Sequence, residues 1–183
     1  AGDTQGICGL KPAGVDAVHL METLGMIVDV SHASEKTFYG IAETATKPLL
    51  ASHSNAYALC PAKRNLKDEQ IRIIASTGGV IGMNAWPAFI DEKAPSAEKL
   101  ANHVDYIVNL VGIDHVGCGF DFCDFLDENA LSFAEPGQVN TKDLEDATKV
   151  RNFTDILKRR GYDEEALEKI MYKNMERLLY QTL

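Results

Sequence analysis

Short apolar runs alternate with amphipathic stretches along most of this chain. Four of the runs have the length and apolar content of buried strands. They are residues 26–30, 49–52, 79–84 and 115–120. Apolar residues recur at helical spacing around and between these runs, with Ser34 and Ser96 as predicted caps. The helices predicted in this part of the chain cover residues 12–24, 34–45, 68–76 and 96–111.

The last third of the chain has a different pattern. A polar, poorly periodic stretch covers residues 121–140, and predicted helices follow at residues 142–160, 163–172 and 174–180. Alternation of helices with short apolar strands indicates an α/β fold with a parallel sheet and right-handed crossovers. Four βα units are half of a (β/α)8 TIM barrel, and a doubly wound open sheet is the alternative.

Two of the predicted strands end in the same dipeptide, Ser-His. His32 and His53 lie 21 positions apart, about one strand–helix–strand unit, so the two strand ends should be neighbours. Asn84 and Asp121 follow the next two strands, and in a barrel all four would face one mouth. Two histidines and a carboxylate suit a divalent metal such as zinc, whereas a lone histidine at a strand end more often caps or hydrogen-bonds.

Other residues near these strand ends are more ambiguous. Arg64 follows His53 by 11 positions, in a loop that would overhang the same mouth. Its guanidinium suits bidentate capture of a carboxylate, but on pattern alone a solvated loop arginine is favoured. Phe89 either lines a pocket or covers the barrel rim. Asp29 is expected only to hydrogen-bond locally, and His103 to pack inside its helix.

Composition narrows the classes of partner. The 183 residues are 45% hydrophobic and 25% charged, with a formal net charge of −9 and no basic cluster. This charge argues against nucleic acid and anionic membranes as partners, and no apolar run approaches the length of a membrane span. Four cysteines occur without a Cys-x-x-Cys pair, which favours reduced thiols. There is no Gly-x-Gly-x-x-Gly turn or P-loop, which weakens a nucleotide-binding interpretation.

Several segments of the chain resemble the renal (membrane) dipeptidase family of zinc metallopeptidases. The paired Ser-His motifs and the Arg64-Asn65-Leu66 loop are the most specific of them. The matching segments are residues 9–14, 24–32, 52–60, 64–66, 78–84, 115–122 and 174–178. The similarity spans nearly the whole chain and is read as the C-terminal half of the family's barrel, with residues 1–183 forming one domain.

The resemblance implies a (β/α)8 barrel with two zinc ions that cleaves dipeptides by metal-activated water. His32 and His53 match metal ligands, and Asp121 matches the aspartate that acts in proton transfer. Arg64 matches the arginine that contacts the C-terminal carboxylate of the substrate. Asn84 and Phe89 are assigned to substrate binding in the same mouth.

The chain also departs from the family pattern. It lacks the His-x-Asp pair of the first strand and begins just before the fifth, so the remaining ligands are expected from an N-terminal half-barrel segment or separate chain. The segments at 84–87 and 121–124 differ from the family in the pocket loops. The alternatives are another metal-dependent amide hydrolase on the same barrel, or a non-catalytic half-barrel that binds metal or a partner. A homo-oligomer is compatible with the sequence.

Overall fold

The computed structural model describes residues 8–123 and 140–182, which form an α/β arrangement around a small parallel sheet. The sheet has the order β1-β2-β3, with strands at Leu50–Ala51, Val80–Met83 and Val116–Cys118. Both strand pairs are parallel, and Ala51 and Val116 both lie opposite Ile81. A crossover through α3 connects β1 to β2, and one through α4 connects β2 to β3, as the predicted βαβ pattern requires.

Seven α-helices lie within the described residues. They are α1 (Pro12–Thr23), α2 (Glu35–Thr44), α3 (Asp68–Ser76), α4 (Ala97–Val111), α5 (Val150–Arg159), α6 (Glu164–Glu168) and α7 (Asn174–Thr182). Short 3₁₀ turns occur at Pro87–Phe89, Ile113–His115 and Ala147–Lys149. The predicted caps are confirmed, since the side chain of Ser34 accepts from the Thr37 N–H and that of Ser96 from the Lys99 N–H.

The core lies between the sheet and the helices α3, α4 and α7, all of which contact β2. Every residue of β2 is buried, as expected for a parallel strand covered on both faces. The largest fully buried side chains next to it include Ile71, Ile74, Leu100 and Ile107. In the part of the chain that the structure describes, no helix is long and apolar enough to cross a membrane.

The prediction of a full strand at residues 26–30 is wrong. Only Asp29 pairs, through a parallel bridge to Leu50, and two backbone bonds flank the bridge: Val30 N–H to Leu50 O (2.8 Å) and Leu50 N–H to Val28 O (3.1 Å). Beyond the bridge, the N–H of Ser31 donates to the Asp29 carboxylate instead of a neighbouring strand. The described residues therefore contain a three-stranded parallel sheet with a bridged edge segment, and they do not form the four strands predicted from the sequence.

The C-terminal helices also differ from the prediction. The helix expected from residue 142 begins only after Asp146, whose side chain accepts from the Thr148 N–H, because Lys142 pairs in extended form with Ser96. The two helices expected at residues 163–172 and 174–180 form one continuous run, joined by a π-helical segment at Lys169–Lys173. Most of the polar stretch predicted at 121–140 lies outside the described residues.

Two glycines allow the chain after β1 to lie against the ends of the next two strands. A Cβ at Gly82 would lie 2.1 Å from the carbonyl oxygen of Ser52, and a Cβ at Gly119 would lie 1.7 Å from it. No other residue fits at either position without moving the backbone. The close approach brings the residue after Ser52 to the centre of the sheet's carboxyl end.

The loop between β1 and α3 is fixed at its base by a buried histidine. Nδ1 of His103 on α4 accepts from the Ala56 N–H (3.1 Å), and Nε2 lies 3.0 Å from the carbonyl oxygen of Ile90. Because a backbone N–H can only donate, the proton of the neutral ring is on Nε2, where it meets the carbonyl. Burial lowers the pKa of His103, and the bond to Ile90 opposes this only in part.

Stability should therefore fall on mild acidification, partly because of His103. The folded state resists protonation, whereas the unfolded chain binds a proton near the ordinary pKa of about 6.5. One such group contributes at most about 1.4 kcal/mol per pH unit, present above that pKa and lost as pH falls toward the folded pKa. We expect His103→Gln to be less stable near neutral pH and to lose less stability between about pH 7.5 and 5.5.

Urea unfolding at about pH 7.5 and at about pH 5.5 measures how much stability each protein loses between the two pH values. His19→Gln, which changes an exposed histidine on α1, is the matched control and should retain the wild-type pH dependence. An unchanged pH dependence in His103→Gln would show that this histidine does not resist protonation in the fold.

Candidate functional site

The polar residues that follow the strands meet at the carboxyl end of the sheet. His32 follows the bridged segment, His53 follows β1, Asn84 follows β2 and Asp121 follows β3 by a few residues. The parallel order of the strands brings them to one edge, which is where sites of α/β proteins form. His53 occupies the middle of the group.

The two histidines face each other through their Nε2 atoms, which are 2.9 Å apart. Two nitrogens bound to one tetrahedral zinc at about 2.0–2.1 Å would be about 3.3 Å apart, so the two rings are near the spacing of shared ligands. Burial lowers the pKa of His32, and the charges of Arg64 and His53 lower it further, against the opposing effects of Asp29 and Asp121. The shift favours neutral imidazole, the form that binds metal.

Arg64 reaches the same place from the loop after β1. Its Nη2 lies 3.0 Å from Nε2 of His53, and its Nε donates to the carbonyl oxygen of Ser31 (3.2 Å). The guanidinium carbon lies 5.4 Å from the centre of the Phe89 ring, within the range of a cation–π contact. The predicted overhang of the loop is thus observed, with Phe89 against the arginine.

Asn84 connects the histidine to the aspartate. It is fully buried, and its Nδ2 lies 3.3 Å from the carbonyl oxygen of His53 and 3.4 Å from Oδ2 of Asp121. Its Oδ1 accepts from the Trp86 N–H (2.6 Å), which fixes the orientation of the amide. Asp121 is exposed and has a φ of 59°, a backbone conformation that aspartate tolerates better than most residues.

A second layer of buried amides supports these residues. The side chain of Asn55 accepts from the Asn84 N–H (3.0 Å) and donates to the Asn84 carbonyl (2.9 Å). Asn65, next to Arg64, donates to the carbonyl oxygens of Cys60 (2.9 Å) and Phe89 (2.8 Å). These neutral groups satisfy one another away from water and couple the loop of Arg64 to the end of β2.

The carboxylate of Asp29 joins the two Ser-His segments. Its Oδ1 accepts from the N–H groups of Ser31 and Ser52, both at 3.0 Å, and its Oδ2 accepts from the Ser52 hydroxyl. Burial raises the pKa of Asp29, but the hydrogen bonds from Ser52 and Ser31 outweigh it, so the pKa lies below its ordinary value. The hydroxyl of Ser52 also lies 2.6 Å from Nδ1 of His53.

The donor set is incomplete for a metal ion. In residues 8–123 and 140–182 no group of three or more His, Cys, Asp and Glu side chains is placed to hold one. His32 and His53 provide two nitrogens, whereas zinc centres use three or four protein ligands. The chemistry of the pair fits a metal, with the remaining ligands required from outside the described residues.

All six residues singled out from the sequence lie around His53. They are His32, His53, Arg64, Asn84, Phe89 and Asp121. The residues that the sequence did not single out, Asn55 and Asn65, support them from behind. Asp29 does more than the local bonding expected of it, because it also binds Ser52. The repeated Ser-His dipeptide could have identified Ser52 from the sequence. The buried asparagines follow no periodic pattern, so the sequence does not mark them.

The chain is similar to known proteins over most of its length. The family model described as "Membrane dipeptidase (Peptidase family M19)" matches residues 2–182. A Klebsiella pneumoniae protein in the pqqA 5′ region is 38% identical over 93% of this chain and 60% of its own length. The dipeptidase tcpJ of Claviceps purpurea is 35% identical over 93% of this chain and 38% of its own length.

A solved structure agrees with these matches. A Rhodobacter sphaeroides metallo peptidase, liganded with a phosphinate mimic of the dipeptide L-Ala-D-Ala, superposes with a TM-score of 0.83 at 31% identity. The match covers 96% of this chain and 48% of the other. The chain thus spans between about two fifths and three fifths of the length of these relatives. A family model that matches almost every residue leads to one conclusion: the chain belongs to the membrane dipeptidase family, peptidase family M19.

Proposed function

We propose that this chain forms the C-terminal half of a zinc-dependent dipeptidase, which hydrolyses the peptide bond of dipeptides with metal-activated water. The observation that carries the proposal is the convergence of the Nε2 atoms of His32 and His53 beside the guanidinium of Arg64. It combines a pair of metal ligands with a carboxylate-binding cation in one place. Family membership and the dipeptidase names of the relatives support the same activity.

His32 and His53 would hold one ion of a two-zinc centre. Zinc bound there would polarise the substrate carbonyl and lower the pKa of a bound water, so that hydroxide forms near neutral pH. The protein's own part is to present two imidazoles, one after the bridged segment and one after β1, spaced by the parallel bridge between Asp29 and Leu50. The proposed stoichiometry is two zinc ions in the complete barrel.

Arg64 would bind the free C-terminal carboxylate of the dipeptide. A guanidinium presents paired N–H donors in a plane that matches a carboxylate, and the ring of Phe89 restricts the orientation of that plane. A single site that requires a carboxylate one residue beyond the scissile bond selects dipeptides over longer peptides. The phosphinate dipeptide mimic in the Rhodobacter sphaeroides structure is consistent with this substrate class.

Asp121 would transfer a proton during hydrolysis. It is exposed at the mouth of the sheet, and its carboxylate can take a proton from the attacking water and give it to the leaving amine. Asn84 donates toward Oδ2 of Asp121 and toward the carbonyl of His53, so it would set the distance between the proton carrier and the metal ligands. We also assign Asn84 to substrate binding, since its amide lies between His53 and Asp121.

The remaining ligands and strands would come from an N-terminal half-barrel segment or chain. Three features of the described residues support this. Only two ligands converge, β3 pairs on one side only, and large apolar residues near the end of α1 are exposed. Those residues are Leu20 (58% exposed), Leu24 (64%) and Met26 (51%), in the helix and turn that precede the bridged edge. Such a surface requires a covering partner.

Replacing either histidine tests the metal assignment. In the complete protein, His32→Ala and His53→Ala should each remove about one zinc per barrel and abolish hydrolysis while the circular dichroism spectrum is retained. Zinc is counted by mass spectrometry of acid-digested protein, with His19→Ala as the control. Full zinc content in both variants would show that neither histidine is a ligand.

Arg64 is tested by altering enzyme and substrate together. Each charge-assisted hydrogen bond to a carboxylate is worth about 1.5–3 kcal/mol, so amidating the substrate's C-terminus should lower kcat/KM roughly 10- to 150-fold per bond lost. Arg64→Ala should lose a similar amount and then be nearly indifferent to amidation. Arg64→Lys, which keeps the charge without the planar fork, should remain impaired.

Lys63→Ala, at the exposed neighbouring position, is the matched control for this comparison and should respond to amidation like the wild type. If the losses from Arg64→Ala and from amidation simply add, the guanidinium does not contact that carboxylate.

A further inference from the structure

The two Ser-His pairs, alike in sequence, have different roles in the structure. The hydroxyl of Ser31 does not contact the ring of its own histidine and instead accepts from the N–H of His53 (3.0 Å). The hydroxyl of Ser52 lies between Oδ2 of Asp29 and Nδ1 of His53, at 2.6 Å from the ring nitrogen. Of the two histidines, His53 is therefore the one with a chain of hydrogen bonds behind its ring that ends on a carboxylate within the described part of the chain.

The number of protons in this chain of hydrogen bonds determines which group donates and which accepts at each step. The Asp29 carboxylate, ionised near neutral pH, can only accept, and Ser52 has a single hydroxyl proton. That proton points at Oδ2 of Asp29. The oxygen of Ser52 must then accept from the ring, so the proton of neutral His53 is on Nδ1 and the lone pair is on Nε2.

The contact at Nε2, on the opposite side of the ring, independently indicates the same tautomer of His53. Nη2 of Arg64 lies 3.0 Å from Nε2 of His53, and a guanidinium has only N–H donors. Nε2 must therefore accept, which again places the proton on Nδ1. Two sets of contacts on opposite sides of the imidazole agree on one tautomer.

We propose that Asp29 and Ser52 are positioning residues that hold His53 with its proton on Nδ1 and its Nε2 lone pair directed at the metal. The proposal rests on the proposed function, in which His53 is a zinc ligand. Hydrogen bonds behind a ligating histidine fix its orientation and tautomer, and their loss typically weakens metal binding 10- to 100-fold. His32 has no corresponding bond at Nδ1 to any residue in 8–123 or 140–182, so the two ligands are supported unequally.

An isosteric substitution should reverse the chain of hydrogen bonds without removing it. In Asp29→Asn the amide oxygen must face the two backbone N–H groups of Ser31 and Ser52, because the amide nitrogen would oppose donors there. The amide nitrogen then faces Ser52 and donates to its oxygen. The hydroxyl proton turns toward His53, which must accept at Nδ1 and carry its own proton on Nε2, where the metal would bind.

The experiment measures tautomer and metal affinity separately, in the complete protein labelled with ¹⁵N-histidine. Imidazole nitrogen shifts of the metal-free protein, at a pH where the histidines are neutral, report which ring nitrogen carries the proton. Zinc affinity is measured by competition with a chromophoric chelator. The variants are Asp29→Asn and Ser52→Ala, and the control is Ser54→Ala, a buried hydroxyl that contacts Ser31 but not the His53 ring.

We expect the wild type and Ser54→Ala to carry the proton of His53 on Nδ1. Asp29→Asn should move it to Nε2 and break the contact with Arg64, whereas in Ser52→Ala, where Arg64 still donates to Nε2, the proton should stay mainly on Nδ1. Both variants should bind zinc about 10- to 100-fold more weakly than the control. His103, whose ring is held by the Ala56 N–H and the Ile90 carbonyl, is the internal reference and should keep its shifts.

An unchanged His53 tautomer in Asp29→Asn would overturn the proposal, and so would a changed tautomer with unchanged zinc affinity. Failure of the wild type to bind zinc at all would contradict the proposed function instead. The tautomer measurement needs no metal, so it would still decide whether Asp29 and Ser52 control the ring.

Discussion

The site depends on the contact between the backbone after β1 and the ends of the two strands beside it. The carbonyl oxygen of Ser52 lies where a Cβ of Gly82 or Gly119 would be, so the chain crosses the sheet edge at van der Waals distance. This contact sets the position of His53, around which His32, Arg64 and Asn84 are then arranged. A side chain at either glycine would push the backbone at Ser52 away from the strand ends and displace His53.

Two kinds of hydrogen-bond network hold the groups that surround His53, and they differ in charge. Behind the Arg64 loop and β2, the buried asparagines Asn55, Asn65 and Asn84 pair with backbone groups and carry no charge. Behind the histidines, the Asp29 carboxylate collects three donors. Hydrogen bonds compensate the solvation that buried neutral amides lose, whereas a carboxylate is costlier to desolvate, and Asp29 keeps part of its surface exposed.

The sequence predicted the parts of the molecule that depend on local periodicity. Helix α3 was predicted at its observed bounds because Ile71 and Ile74 lie on one buried face and Gly78 follows its end. The strand ends located the polar cluster, since parallel strands finish on the same side of a sheet. The joined helix at the C-terminus was predicted as two, because a π-helical segment leaves no mark on the apolar pattern.

Features that depend on distant partners could not be predicted in the same way. Residues 26–30 look like a strand, but only Asp29 finds a bridge, and pairing at an edge depends on the neighbour. The orientation of Asn55 and the bond between His103 and Ala56 join positions 29 and 47 residues away. Such contacts leave no signal in a single sequence, because an asparagine has the same one-letter code whether its amide is buried or solvated.

The most direct test of the account is the location of the metal in a crystal of the complete protein. Diffraction data collected on both sides of the zinc absorption edge show zinc atoms alone in a difference map. The account predicts a peak bonded to Nε2 of both His32 and His53, with Nδ1 of His53 still on Ser52 and Arg64 beside the site. Zinc bound elsewhere, or bound through Nδ1 of His53, would contradict it.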